Sequence, residues 1–411
     1  MVESAGRSAI VVVVDRWGAG YLGPYGNTWL DTPALNKFAS ESFLCEHAII
    51  DSPNLDGIYG SYWSARHALC PRSADPAMTW VSRLVDRRLD SVLVTDDPRV
   101  AQHPLAASFD SCQLVVPTES DVAQTGFESL FSAAAATIQE AMAPGLVWVH
   151  SRGMSSAWDA PLELRRQFAG DDDPLPPDSL AVPCELLDED FDPDHLLGIV
   201  QSYAGQVALF DVCWSAFQAA VELCPLANGA LWALTSSRGF PLGEHRRVGA
   251  YDDALHTELV HVPWMLRFPN ESGAGMRSQA LVQPADMGAT VDEWLTGERR
   301  GASHGGLSLM DAVRSERLAP TREYACITAD SQQAVRTPHW FWRRQLADRD
   351  EPDLQELYVK PDDRWEVNEI ADRCLDQVAS LQVAFNQFAG AAADECLHKL
   401  PGLDAELQVD S

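Results

Sequence analysis

Asp15 closes the run Ala9-Ile-Val-Val-Val-Val-Asp15. A carboxylate at the C-terminal end of a buried strand stands where open α/β sheets bind their ligands, and it can ligate a hard cation. Its neighbour is Arg16, and a second arginine, Arg238, follows the run Ala230-Leu-Trp-Ala-Leu-Thr-Ser236. Both arginines stand at strand ends facing one pocket, so both should lie close to Asp15. Two outcomes are open. One arginine pairs with Asp15 and satisfies a carboxylate that is costly to bury alone. Alternatively, the two guanidinium groups form an anion site that takes sulfate or phosphate bidentately.

Other chemistry-bearing residues are less pointed. Ser61, Ser64 and Arg66 look like a nucleophile motif, but their spacing reads as helix packing. Asp56, Asp252, Asp253, His245, His256 and His261 have the donor types of a metal site without its usual ligand spacing. Trp17, Trp29, Trp63 and Trp158 have faces on which sugars stack, although core packing is the commoner fate of tryptophan. The acidic, proline-rich stretch between Gly170 and Asp194 lacks EF-hand spacing and reads as a solvated loop.

The elements that position these residues alternate. Residues 9–15 form a β-branched run suited to a strand buried on both faces. Thr32-Pro33 opens a helix, and Ser91–Thr95 and Gly145–His150 read as strands. Ser202–Leu223 reads as a helix, and Ala230–Ser236 is a further strand. Strands alternating with helices imply a mainly parallel sheet flanked by helices. Beyond about residue 315 come short strands (Tyr324–Thr328, Gln333–Arg336) and a helix near Asp372–Phe388, which predict a smaller C-terminal α/β subdomain. The division expected is therefore 1–315 and 316–411.

With 411 residues, 46% hydrophobic and 22% charged, the chain can bury a large core. A net charge of -30 argues against nucleic acid and anionic membranes as partners. The nine cysteines are scattered, and none forms a C-x-x-C pair, so free thiols are expected. No apolar stretch of membrane-spanning length and no signal peptide stand out, which makes a cytoplasmic location the expectation.

Several phrases, in order and at compatible spacing, resemble the sulfatase family of the alkaline-phosphatase superfamily. Tyr21-Leu-Gly-Pro-Tyr-Gly-Asn27 with Thr32-Pro-Ala-Leu-Asn-Lys-Phe-Ala39 is similar to "LGxYGN … TPNLDxLA". Trp148-Val-His150 with Trp158-Asp-Ala-Pro161 is similar to "WVHxxDPHxPYxxP". Tyr203, Val207 and Asp211 keep the phase of "YxxxVxxxD". Thr235–His245 resembles "TSDHGxxLGEH", and Ala334–Thr337 and Glu356–Tyr358 resemble "AIRT … ELYDL".

The resemblance implies an alkaline-phosphatase-like α/β sandwich and a calcium-dependent sulfate-ester hydrolase with a formylglycine nucleophile. Carried over residue by residue, that chemistry is almost gone. The first acid is kept as Asp15, the sole retained metal ligand, and the second falls on Arg16. The nucleophile position falls on Leu55, which has no nucleophilic atom, so no catalytic residue is assigned. The motif proline falls on Gly57 and its arginine on Tyr59. The lysine after the second strand falls near Asp96, and the histidine of "DPH" on Ser155. The later metal pair falls on Ser237 and Arg238. A pseudo-sulfatase is expected: metal-free, binding an anionic or sulfated ligand or a protein partner. An active ester hydrolase with a rebuilt calcium site is the alternative.

Overall fold

The structure is a computed structural model that describes residues 7–116, 124–252, 254–299, 301–314, 322–347 and 352–408. Fourteen strands are described. They are β1 (Ser8–Val14), β2 (Phe43–Ile49), β3 (Asp90–Thr95), β4 (Ser111–Leu114), β5 (Gly145–Ser151), β6 (Cys184–Leu186) and β7 (Ala230–Thr235). The remainder are β8 (Arg247–Gly249), β9 (His261–Arg267), β10 (Arg277–Val282), β11 (Ala325–Thr328), β12 (Gln332–Arg336), β13 (Trp340–Gln345) and β14 (Leu354–Val359).

Eight of them form one sheet in the order β10-β2-β9-β7-β1-β5-β3-β4. Only β9 runs antiparallel to its neighbours, β2 and β7. Alternation along β1 shows why both faces must be covered. Ala9, Val11 and Val13 enter one apolar core, and Ile10, Val12 and Val14 the other. All six are fully buried, as the period-2 geometry of a sandwiched strand requires. β1 pairs in parallel with β5 and β7, so the C-terminal ends of these three strands, and the loops after them, converge.

The helix Pro33–Ser40 is held from outside. Asp211 accepts from the backbone N–H of Ala34 and Leu35, satisfying two donors that a helix start leaves free. Asp211 lies on the helix Pro193–Val221, which begins nine residues before the predicted Ser202. Asp192 caps it by accepting from Asp194 N, and Pro193 fills its first position. The last residues of the acidic stretch thus belong to a helix rather than to a loop. By length and composition this helix could cross a membrane, contrary to the expectation that no such stretch exists. In the fold, 78% of its apolar window is buried within the protein.

A four-stranded antiparallel sheet, β11-β12-β13-β14, packs with the helix Leu375–Ala393 around a third apolar core. β13 and β14 have no counterpart among the strands expected from the sequence. The expected boundary at 315/316 lies outside the described residues. The result is a mixed α/β fold with a large, mainly parallel sheet flanked by helices and a small antiparallel C-terminal sheet.

Candidate functional site

Asp15 follows β1, Ser155 follows β5, and Ser237 and Arg238 follow β7. The sheet order therefore places all four side chains together. Gly153 makes the approach possible. Its φ is +50°, and a Cβ there would lie 2.4 Å from the Asp15 carbonyl oxygen, so only glycine fits. The tight turn lets Met154 N donate to Asp15 O at 3.0 Å and brings Ser155 beneath the carboxylate.

The Asp15 side chain is 1% exposed and accepts four hydrogen bonds. Its Oδ1 takes Ser237 Oγ and, at 2.9 Å, Arg238 Nε. Its Oδ2 takes Ser155 Oγ and, at 3.0 Å, Arg238 Nη2. A carboxylate has about four acceptor positions, so this one is saturated. Burial would raise its pKa, but Arg238 and Arg16 outweigh burial and hold the carboxyl well below the usual range.

Arg238 also donates from Nη1 to Pro53 O at 3.0 Å and to Asp252 Oδ2 at 2.7 Å. Arg16 donates from Nη2 to Asp252 Oδ1 at 2.6 Å. Two arginines and two aspartates thus cancel in charge, with Asp252 at the solvent side. Arg16 sits in the left-handed region at φ 60°, and Tyr203 Oη pins its carbonyl at 2.9 Å. Its Nε and Nη1 are buried without a hydrogen-bond partner. Burial and the nearby Arg238 lower its pKa, against the pull of Asp15 and Asp252.

Leu55 is buried at the first turn of the helix Leu55–Ser64, which Asn54 caps. Ser61 Oγ on that helix donates to the buried Asp51, and Ser64 Oγ bonds back to Gly60 O, so both serve the helix. Tyr59 Oη bonds His150 Nδ1, whose ring has Asp97 on its far side at 3.8 Å. Asp96 accepts from Arg152 N at 2.7 Å, and burial pushes it up to about 6. Trp17, Trp63 and Trp158 are core residues, whereas Trp29 remains 43% exposed.

His245 and His256 come together with Glu366, their ligating atoms within 4.8 Å of one another, and this trio could hold a metal ion. Asp56 and Asp252 lie elsewhere, His261 is not part of the trio, and Asp253 is outside the described residues. Glu366 was not foreseen, because it arrives from the C-terminal region. Two imidazoles and a carboxylate suit a transition metal better than calcium. The geometry opposes loading as it stands. The rings stack face to face at 3.5 Å and 6°, so the in-plane lone pairs of the two imidazoles do not converge on one point. Lys360 pairs with Glu366 at 2.9 Å, and Arg343 bonds His256.

No family model matches the sequence, and no curated protein matches it. Solved structures do. A phosphonate monoester hydrolase of Agrobacterium radiobacter superposes with a TM-score of 0.73 at 14% identity, covering 95% of this chain and 96% of that one. A 2-O GAG sulfatase gives 0.71 at 16%, covering 97% and 95%. A protein solved in complex with its substrate D-glucosamine-2-N,6-O-disulfate gives 0.72 at 12%, covering 95% and 98%.

The chain has the sulfatase fold.

Within that fold, the Asp15 cluster does not fit a sulfatase metal. Every acceptor position of Asp15 is occupied, and two cations flank it. The signal for Arg238 was legible in the sequence. The part played by the hydroxyls of Ser155 and Ser237 was not.

Proposed function

We propose that this sulfatase-like protein is a non-catalytic relative that binds an anionic or sulfated ligand. One observation carries the reading: the Arg238 guanidinium donates to both oxygens of Asp15 and takes up the acceptor positions that a metal would need. Leu55 at the nucleophile position agrees, since it offers no atom to attack an ester. Ligand binding is supported by the neighbour solved with a disulfated glucosamine. It is also supported by Arg16, whose Nε and Nη1 lack an acceptor. A protein partner and a cytoplasmic location belong to the same proposal. All nine cysteines are free thiols, which suits a reducing compartment.

The test is metal content by mass spectrometry on protein purified with calcium and magnesium present, beside hydrolysis of aryl sulfate and aryl phosphonate esters. The reading expects no stoichiometric metal and no turnover. One ion per chain together with turnover would establish the competing reading, an ester hydrolase with a rebuilt metal site.

A further inference from the structure

A cavity of about 520 Å³ lies between β2, the start of β9 and the ends of β12 and β14. Asp15, Arg16 and Arg238 line no part of it. Its charged lining is unusual for a chain of net charge -30: four cations, Arg277, Arg336, Lys360 and Arg364, against one carboxylate, Glu46. Two of the cations are already paired, Arg277 with Glu46 and Lys360 with Glu366. Among the described residues the other two make no ion pair.

Arg336 ends β12 and is 7% exposed. Its Nη1 is bonded to the carbonyls of Thr337, Pro338 and Trp340. Among the described residues it makes no ion pair with a carboxylate and no hydrogen bond through Nε or Nη2. Its one carboxylate neighbour among them is Glu366, which Lys360 and His256 already engage, so the buried guanidinium is only weakly compensated. Arg364 is exposed at the rim, where Nη2 donates to Tyr25 O at 3.3 Å, and it too makes no ion pair among the described residues.

The same lining holds His47, which makes no hydrogen bond among the described residues, and His261, bonded to Glu46 O at 2.7 Å. Burial, with Arg336 nearby, holds His47 down at about 4. Burial, with His47, Arg336 and Arg364, holds His261 down at about 3. Both imidazoles are neutral at pH 7; His261 spends its one N–H on Glu46 O, and His47 keeps one to donate. The lining of the chamber thus carries more positive than negative charge.

We propose that this cavity is an oxyanion site that takes the sulfate or phosphate group of a small ester. Arg336 and Arg364 are its charged donors, and His47 is its neutral one. A planar guanidinium matches two oxygens of such a group, and an anion supplies the charge that Arg336 lacks. A second cavity, of about 240 Å³, shares Thr257, His261 and Arg364 with the first and is walled by Tyr21, Trp29 and Trp365. It gives the organic body of the ester an aromatic surface. The proposal rests on the ligand-binding reading for its choice of anion only; the location is independent of Asp15.

The experiment is calorimetric titration of the full chain at pH 7 with inorganic sulfate and, separately, inorganic phosphate. The variants are Arg364→Ala, His47→Ala, Arg336→Gln and Arg16→Ala, with the surface variant Arg99→Ala as control. One anion per chain is expected, weakened at least tenfold by Arg364→Ala and Arg336→Gln and unchanged by Arg99→Ala. Whichever anion binds more tightly names the ester class, and either supports the site. Arg364 is exposed, so its variant remains informative if Arg336→Gln fails to fold. No saturable binding of either anion overturns the proposal. So does binding indifferent to Arg364→Ala and His47→Ala. Binding lost in Arg16→Ala alone overturns it too, while leaving the non-catalytic reading intact with the anion at the Asp15 cluster.

Discussion

Replacing Arg238 with methionine should be among the most damaging single changes at the strand ends. The side chains of Asp15 and Arg238 are 1% and 6% exposed. The substitution removes two of the four donors to Asp15, the larger of the two cationic influences on it, and a donor to Pro53 O and Asp252. Breaking a buried ion pair from one side costs about 3–5 kcal/mol, because the remaining charge stays desolvated. Urea unfolding at pH 7 measures that loss. The double variant Asp15→Val with Arg238→Met removes both charges and should be more stable than the sum of the single effects by about 2 kcal/mol.

The pH dependence has a definite sign. In the native protein Asp15 has a lowered pKa, so its contribution is fully present above the unfolded value of 3.8. It is lost as pH falls below that value toward the lowered folded one. Without Arg238, burial dominates and raises the Asp15 pKa, so the variant's penalty should shrink between pH 7 and pH 4 as Asp15 takes up a proton. A penalty below about 1 kcal/mol that does not change with pH would refute the ion-pair account, since that is the scale of an exposed pair.

Three further changes follow from the same geometry. Gly153→Ala forces a left-handed alanine and a Cβ into the Asp15 carbonyl, and should cost about 2–4 kcal/mol in denaturant unfolding. Burial pushes Asp51 up from 3.8 to about 6, so its contribution is most favourable below pH 4 and is lost as pH rises through 6. At about 1.4 kcal/mol per pH unit, Asp51→Asn should gain up to about 3 kcal/mol at pH 7 and flatten the stability profile between pH 4 and 6. Asp211→Ala frees the N–H groups of Ala34 and Leu35 and should cost about 1–2 kcal/mol, read by thermal or denaturant unfolding.

Much of the fold is local and was legible. An apolar β-branched run such as 9–14 has to be a doubly covered strand, and Thr32-Pro33 has to open a helix. Where local signals conflicted, the reading failed. Trp340–Gln345 carries two arginines, yet it is a strand because β12 and β14 pair with it on both sides. Asp192-Pro193 looked like the end of an acidic loop and is a helix start.

Residue types alone determined that Leu55 has no nucleophilic atom and that Arg16 and Arg238 stand at strand ends as Asp15 does. Only the tertiary structure decided what those arginines do. Ser155 lies 140 residues from Asp15, Ser237 222 and Arg238 223. They meet because β1 lies between β5 and β7 and because Gly153 admits a turn that no other residue could make. Glu366 reaches His256 across 110 residues, and Arg336 faces His47 across two different sheets. Hydrogen-bond geometry and desolvation act within a few ångströms, and separation along the chain does not encode such distances.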